Sequence, residues 1–341
     1  MKYPDFLHTH GTIALVAPSF GCNTEPYKSL LNAARKKFKT MGYHLRIGPN
    51  CYLGKGIGIS STPKRCAQEL RTAYISSKND IILSVGGGEL MCEILDEIDF
   101  ERIRESAPKW YMGFSDNTNF TFLLTTLCDV ASVYGPNASS FGMDPWHASL
   151  HDAFALLQGR KLSFDSYGMW EKESLQNAEH PLAPYNLTER EKLTLVNTHA
   201  GFLSMKGRLL GGCMDCLENL IGTEYDHVTA FQKAYSEDGI IWFLESCDLN
   251  VLSIRRTLWH MEHAGWFNHI NGFLIGRPAN GNSLCGLDHI HAVTDVLSKY
   301  HVPILLDADL GHMPPSVPLI CGSYADIKAH KNHWAIDMYL E

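Results

Sequence analysis

The sequence has no long hydrophobic run and no excess of positive charge. Among its 341 residues, 29 are Lys or Arg and 37 are Asp or Glu, so the formal net charge is −8 at pH 7. A surface that binds nucleic acid or an anionic membrane is therefore not expected. No stretch approaches the roughly 18 continuous apolar residues of a membrane span. Apolar residues still make up 45% of the chain, so we expect a soluble protein with core enough for two domains and a small or cationic ligand.

The chain also lacks the marks of secretion and of a disulfide framework. Residues 1–8 contain no basic start, apolar run or small-residue cleavage site, so we expect a cytoplasmic protein. The ten cysteines are scattered, and most lie in apolar runs, as Cys92 and Cys128 do. A free thiol packs there as a small hydrophobe. Cys213 and Cys216 form a single C-x-x-C pair, which without a second pair favours a structural role over zinc binding or redox chemistry.

What the sequence does contain is an alternation of short apolar runs with helical patterns, which is typical of parallel sheets covered by helices. Predicted strands cover 12–17, 44–47, 80–85, 109–114, 208–210, 239–244, 272–275 and 302–306. Predicted helices cover 25–41, 63–77, 117–127, 214–221, 251–264 and 287–300. The periodicity lapses between 162 and 191, which indicates a connection. We therefore predict a Rossmann-like (flavodoxin-like) parallel-sheet domain over 1–161, a connecting loop over 162–191 and a second α/β domain over 192–341.

Four of the predicted strands end in glycine or polar residues. Ligands of such sheets bind beyond the carboxyl ends of the strands, so these positions are the candidates for a functional site. They are the triple glycine at 86–88, Ser115 with Asp116, Glu245, and Gly311 with His312.

Ser115 directly follows a predicted strand and stands two residues before a predicted helix. A tight turn in that setting exposes a serine hydroxyl at a helix N-terminus, as a nucleophile requires. The second glycine of G-x-S-x-G is absent, and the alternative is an ordinary N-cap that satisfies backbone amides. The triple glycine also has two interpretations, namely amides that approach an anion or oxyanion, or simply a tight turn. Met91 stands where a dinucleotide fingerprint would need glycine.

Glu245 and His312 are candidates for an acid-base pair. Glu245 follows five apolar residues, and a buried carboxylate there needs a partner. A histidine oriented by that carboxylate would serve as a general base, whereas the alternative is a surface salt bridge at the strand end. His312 precedes Pro314 and Pro315, which stiffen the loop that carries it.

Histidine is abundant, with 17 copies, and three groups of histidines invite comparison with metal sites. They are His260 with His263, His289 with His291, and His147 with His151. None has the spacing of H-E-x-x-H or of another zinc motif with known mechanics. The first two lie on predicted amphipathic helices, where exposed histidines need no ligand. We therefore predict no metal site, and a metal hydrolase is the weakest of the alternatives.

Four segments follow one another along the chain: the glycine loop, G-F-S-D at 113–116, F-L-E at 243–245 and G-H at 311–312. In this order they resemble the serine peptidase family of LD-carboxypeptidases and microcin C immunity proteins. The resemblance extends over nearly the whole chain, through 11–19, 84–89, 134–136, 207–223, 272–276 and 318–322. Each piece alone is common, but their joint occurrence makes the resemblance specific. It implies a cytoplasmic, homodimeric hydrolase that needs no metal and no other cofactor.

The resemblance also implies a role for each candidate residue. Ser115 would be the nucleophile and would come from the first domain. His312, the general base and then acid, and Glu245, which orients it, would come from the second, with the active site between the domains. The oxyanion hole would consist of the backbone N–H groups of Asp116 and Gly87.

Two branches of the family imply two substrate classes, namely muropeptides that end in a D-amino acid, and peptidyl-nucleotide antibiotics. Two features favour the second branch, namely the length of the chain and the connection around Trp170, which resembles a loop that stacks on a nucleobase. The alternative is that Trp170 only packs its own loop down. Gly88 is the other candidate for substrate binding. Two positions depart from the pattern: Glu89 follows Gly88, and Cys213 stands where asparagine is frequent. The alternative from another class is a non-catalytic two-lobed protein that binds a small ligand or peptide.

Overall fold

The structure, a computed structural model, describes all 341 residues and divides into two compact units. Unit 1 consists of residues 1–161 and 173–186, and unit 2 consists of residues 162–172 and 187–341. The segment 162–191, for which the sequence predicts a connecting loop, is thus divided between the units and includes three short strands. None of the helices combines the length and apolar character needed to cross a membrane.

Unit 1 is built around a parallel sheet. Its strands are β1 (Thr12–Val16), β2 (His44–Ile47), β3 (Ile81–Ser84), β4 (Trp110–Gly113) and β5 (Ser132–Tyr134). They lie in the order β5-β4-β3-β1-β2, and every neighbouring pair is parallel. This order is that of flavodoxin-like folds, so the predicted fold class is confirmed. The helices are α1 (Tyr27–Thr40), α2 (Pro63–Ile75), α3 (Phe100–Glu105), α4 (Thr118–Cys128) and α5 (Ala148–Leu157).

Unit 2 contains a mixed sheet of eight strands. They are β6 (Ser163–Asp165), β9 (Thr194–Val196), β10 (Phe202–Cys213), β11 (Ile240–Glu245), β12 (Ile270–Gly276), β13 (Ile304–Ala308), β15 (Tyr324–His330) and β16 (His333–Tyr339). Their order is β6-β16-β15-β10-β11-β12-β13-β9, and β10 to β13 form a parallel core. Strands β7 (Met169–Glu171) and β8 (Leu187–Arg190) pair with each other, and β14 covers Leu319–Cys321. The helices are α6 (Met214–Leu220), α7 (Val228–Ala234), α8 (Val251–His263) and α9 (His289–Leu297).

Strand β11 shows why this core forms. All six of its residues are buried, as expected for a central strand that helices cover on both faces. Its partner β10 reaches the same edge, and the register places Cys213 directly beside Glu245. Gly211 permits this close pairing, because a Cβ there would overlap the backbone of Phe243. The core of unit 2 thereby carries a buried carboxylate to the carboxyl edge of its parallel strands.

Candidate active site

Ser115 lies on a sharp turn between β4 and α4 in unit 1. Its φ is +63°, a left-handed conformation that residues other than glycine rarely adopt. The Ser115 N–H donates a hydrogen bond to the Tyr134 hydroxyl at 3.2 Å. A strained strand-to-helix turn of this kind holds a nucleophilic serine in α/β hydrolases. The structure therefore gives Ser115 a conformation that an ordinary N-cap does not need.

The glycine loop lies directly against this serine. A Cβ on Gly87 would stand 3.1 Å from the Ser115 Cβ and 3.2 Å from its Oγ. The Asn117 amide connects loop and turn, because its Nδ2 donates to the Gly86 carbonyl at 2.9 Å and to the Phe114 carbonyl at 3.1 Å. Two of the positions singled out in the sequence, 87 and 115, are thus brought together within unit 1.

The Asp116 side chain serves the framework of this turn. It is buried and accepts hydrogen bonds from the Ser19 hydroxyl at 2.5 Å, the Met91 N–H at 2.9 Å and the Asn119 amide at 3.0 Å. Burial raises the pKa of Asp116 to about 6. Gly88 packs against the same Ser19, since a Cβ on Gly88 would overlap the Ser19 hydroxyl. The carboxylate of Asp116 is therefore committed to structure, and only its backbone N–H is a candidate for the reaction.

In unit 2, Glu245 and His312 form a hydrogen-bonded pair. The Glu245 side chain is fully buried at the end of β11, and its Oε2 lies 2.7 Å from the His312 Nδ1. Because an ionised carboxylate only accepts, the Nδ1 carries the proton and the Nε2 of the neutral ring is the acceptor. Gly311 allows this approach, because its φ is +92° and a Cβ there would overlap the Glu245 carboxylate.

The electrostatics of the pair favour a charged imidazole. Burial lowers the pKa of His312, but the charge of Glu245 and side-chain hydrogen bonds with Cys247 and Glu245 outweigh it and hold the pKa well above its usual range. A carboxylate that stabilises an imidazolium in this way is what a histidine base needs once it has taken a proton. The surface salt bridge considered for Glu245 does not fit a side chain with no exposure.

Cys213 lies beside the pair of Glu245 and His312, and Cys216 is its hydrogen-bond partner. The ligand atoms of Cys213, Glu245 and His312 all lie within 4.8 Å of one another. A hydrogen bond with Cys216, burial and the charge of Glu245 raise the pKa of the Cys213 thiol well above its usual range, so the thiol is protonated. The spacing of residues along the chain does not predict that Cys213 lies beside Glu245. The register of β10 against β11 places them there.

Trp170 lies on β7 in unit 2, with the Arg277 guanidinium 5.2 Å from the centre of its ring. Arg277 in turn forms a buried ion pair with Asp309 and donates to the Asp307 carbonyl at 2.7 Å. This cation–π contact covers one face of the indole. Stacking of a nucleobase on Trp170 stays a prediction, and Arg277 is a neighbour that the sequence did not indicate.

Trp170 is also connected to the loop that carries His312. The Glu171 N–H donates to the Pro314 carbonyl at 2.7 Å, and Pro314 stands two residues after His312 in the chain. The Tyr167 N–H donates to the Asp309 carboxylate at 2.7 Å. Residues at both ends of the Trp170 segment are therefore fixed to the loop at 309–314.

Unit 1 thus carries a strained serine turn on a parallel sheet, and unit 2, a second α/β unit, carries a buried carboxylate–imidazole pair. Two family models match the chain: the LD-carboxypeptidase N-terminal domain over residues 13–135 and the LD-carboxypeptidase C-terminal domain over residues 206–327. The chain belongs to the LD-carboxypeptidase family, as the resemblance predicts.

Two curated relatives match most of the chain. The chain is 23% identical over 344 residues to a Treponema pallidum protein named "Putative carboxypeptidase", across 98% of this chain and 94% of that one. It is 24% identical over 279 residues to a protein of the same description from Streptomyces coelicolor, across 82% and 78% of the two chains.

Among solved structures, an MccF-like protein from Bacillus anthracis matches with a TM-score of 0.83 at 23% identity, across 99% of this chain and 100% of that one. The microcin C7 self immunity protein MccF in complex with aspartyl sulfamoyl adenosine matches with a TM-score of 0.81 at 20% identity, across 100% and 99%. At this level of identity the two structures establish a shared fold.

Proposed function

We propose that the protein is a serine carboxypeptidase or amidohydrolase that cleaves a C-terminal peptide or amide bond through Ser115, His312 and Glu245. The observation that carries the proposal is the left-handed conformation of Ser115 beside Gly87. The hydrogen-bonded pair of His312 and Glu245 supplies the matching base. The family to which the chain belongs consists of peptidases, which supports the reaction class.

The proposed reaction is acyl transfer. The Ser115 Oγ attacks the substrate carbonyl while the His312 Nε2 takes its proton, and the Glu245 carboxylate stabilises the resulting imidazolium through Nδ1. The imidazolium then gives that proton to the leaving amine as the C–N bond breaks. Water, activated by the same imidazole, hydrolyses the acyl-enzyme and restores the Ser115 hydroxyl. No metal takes part in these steps.

The tetrahedral intermediate needs hydrogen-bond donors for its oxyanion. We assign this role to the backbone N–H groups of Gly87 and Asp116. The Ser115 N–H is already committed to the Tyr134 hydroxyl, whereas the Gly87 backbone lies against the Ser115 side chain. Donors of this kind are typically worth about 3 to 4 kcal/mol each in the transition state.

The proposed substrates are small peptides, muropeptides or peptidyl-nucleotides. MccF structures hold aspartyl sulfamoyl adenosine and glutamyl sulfamoyl guanosine, and an MccF-like protein from Streptococcus pneumoniae holds AMP. Trp170 offers this chain an aromatic surface for a nucleobase, and Gly88 is the second proposed contact with substrate. The cytoplasmic location and the homodimer that the resemblance implies belong to the same proposal.

The test compares hydrolysis of an L,D-tetrapeptide muropeptide with hydrolysis of an aminoacyl sulfamoyl adenosine. We expect turnover of one of them, and we expect Ser115→Ala to abolish it while Ser236→Ala, which alters an exposed serine, retains it. A serine-directed phosphonate should add its mass to Ser115. Turnover by Ser115→Ala near the parental rate would overturn the proposal. Saturable binding of either compound without turnover and without an adduct would instead favour the non-catalytic binding protein.

A further inference from the structure

Cys213 and Glu245 place two further metal-ligand side chains beside the imidazole of His312. Cys213, Glu245 and His312 each offer one ligand atom, and these atoms lie within 4.8 Å of one another. Thiolate, carboxylate and imidazole are the three ligand types that zinc takes from proteins. Their convergence follows from the fold, because adjacent strands β10 and β11 end side by side at Cys213 and Glu245.

We propose that Cys213, Glu245 and His312 form a zinc-binding site whose occupation reversibly inhibits the enzyme. In a tetrahedral zinc site, with bonds of about 2.0 to 2.3 Å, the ligand atoms lie about 3.3 to 3.8 Å apart. The Glu245 Oε2 lies 2.7 Å from the His312 Nδ1, and no two of the three ligand atoms are more than 4.8 Å apart, so tetrahedral spacing requires changes of about 1 Å or less in these separations. The fourth position is left to water, as in other zinc sites with three protein ligands.

The local charge favours a cation. The Cys213 Sγ lies 3.3 Å from the Asp215 carboxylate, so two carboxylates, those of Asp215 and Glu245, lie beside the thiol. On binding, the Cys213 thiol releases its proton to solvent and a Zn–S bond forms. Zinc displaces the proton from Nδ1 of His312. An imidazolium gives that proton to solvent and retains the one on Nε2, and a neutral ring transfers it through solvent to Nε2, so that in both cases Nδ1 binds the metal and Nε2 is protonated. The Glu245 oxygen exchanges its hydrogen bond for a bond to the metal. Charge and protons balance, and no redox step is involved.

Inhibition follows from the same atoms and rests on the proposed function. Zinc on Nδ1 replaces the hydrogen bond that orients His312, and the proton left on Nε2 removes the acceptor that the Ser115 hydroxyl requires. Binding of the metal does not rest on that function, because it needs only the three side chains of unit 2. The two statements can therefore be tested separately.

The binding test titrates the metal-free full-length protein with Co²⁺ as a spectroscopic probe and then displaces it with Zn²⁺. We expect a thiolate-to-cobalt charge-transfer band at one equivalent. Cys213→Ser should lose the band and weaken Zn²⁺ binding by about tenfold or more, whereas Cys285→Ser, which removes the exposed thiol, should change neither. A band that survives Cys213→Ser, or no band in the parent, would overturn the site. Cys213→Ala, checked by circular dichroism, serves if the serine variant does not fold.

The activity test compares each variant with its own metal-free rate. We expect Zn²⁺ to inhibit the parent and Cys285→Ser over the concentration range of binding, chelator to restore both, and Cys213→Ser to need a higher concentration. Zinc binding without inhibition, or activity that chelator abolishes, would overturn the inhibitory role. Absence of hydrolysis under every condition would reject the proposed function and leave the cobalt result to decide the site.

Discussion

The main chain of the glycine loop closely approaches the Ser115 side chain. Gly86 and Gly87 are adjacent, yet only Gly87 faces the serine side chain: a Cβ on Gly86 would meet its nearest neighbour, the Phe20 carbonyl, at 3.4 Å, which is an ordinary contact. Comparing alanine at position 87 with alanine at position 86 therefore distinguishes an effect on Ser115 from a general effect of alanine in the loop.

Gly87→Ala is expected to lower kcat with little change in KM. The added methyl group would press on the Ser115 Cβ and Oγ at 3.1 and 3.2 Å and displace the hydroxyl, and displacements well below 1 Å reduce rates by about tenfold or more. Steady-state kinetics on the two substrates measures this, with Gly86→Ala as the matched variant and a smaller effect expected. Equal losses in both variants would show that position 87 has no special relation to Ser115.

Glu245 sets both the orientation and the basicity of His312. Because the Glu245 charge raises the pKa of His312, the general base becomes available only as pH rises through that pKa, and activity should rise with it. Glu245→Gln removes the charge, so the acid limb of the pH–rate profile should move to lower pH. The plateau should fall by about 10³-fold or more, because the amide stabilises no imidazolium.

A pH–rate profile of kcat/KM for the parent and for Glu245→Gln tests both expectations. Glu262→Gln is a suitable control, because Glu262 lies on α8 and forms its ion pair with Lys299. An acid limb that stays in place in Glu245→Gln would mean that the rate follows some group other than His312.

At the scale of elements, the segment that carries Trp170 rests on a buried charge cluster. Arg277 pairs with Asp309, and Glu191, which follows β8, is buried beside them. Burial and the charge of Asp309 raise the pKa of Glu191 to about 7. Unit 2 therefore holds a carboxyl group that folding prefers to keep protonated.

This carboxyl makes stability depend on pH. A group whose pKa is higher in the folded than in the unfolded state stabilises the fold below its ordinary pKa, here 4.5, and loses that contribution as pH rises to about 7. The loss is at most about 3 kcal/mol. Glu191→Gln should shrink the difference in free energy of unfolding between pH 5 and pH 8, measured by denaturant titration. The exposed Glu179→Gln should leave that difference unchanged, and an unchanged difference in Glu191→Gln would contradict the assignment.

The elements differ in how far the sequence predicts them. Strand β11 is a continuous apolar run, and its limits in the structure differ by one residue from those expected. The sequence pattern does not predict the hairpin of β15 and β16, because both strands carry charged side chains among their apolar residues and β16 alternates buried with partly exposed residues. A half-buried antiparallel strand has only that weak alternation as its signal.

The residues of the candidate site also differ in how far the sequence predicts them. The candidate residues stand at strand ends, which a rule about parallel sheets identifies from the sequence. The Tyr134 hydroxyl on the Ser115 N–H and the Arg277 guanidinium under Trp170 are contacts between residues distant in the chain. No spacing specifies such contacts, because they depend on strand register and on how loops return over the sheet.

At the scale of the whole molecule, the proposed triad draws on both units. Ser115 belongs to unit 1, whereas Glu245 and His312 belong to unit 2. A hydroxyl without a base is a poor nucleophile, and general-base assistance is worth about 10² to 10⁴ in rate. The reactivity of a side chain in one unit should therefore depend on a side chain of the other, which an experiment on the intact chain can measure.

His312→Ala is expected to slow phosphonate labelling of Ser115 by about 10²-fold or more, because the base that removes the hydroxyl proton is lost. Intact-mass spectrometry over time gives the labelling rate, and peptide mapping locates the adduct at Ser115. His333→Ala, which removes an exposed imidazole from β16 in unit 2, should label at the parental rate, and circular dichroism should show both variants folded. Labelling of His312→Ala at the parental rate would mean that Ser115 does not take its base from unit 2, and the two-unit triad would have to be abandoned even if the protein hydrolyses its substrate.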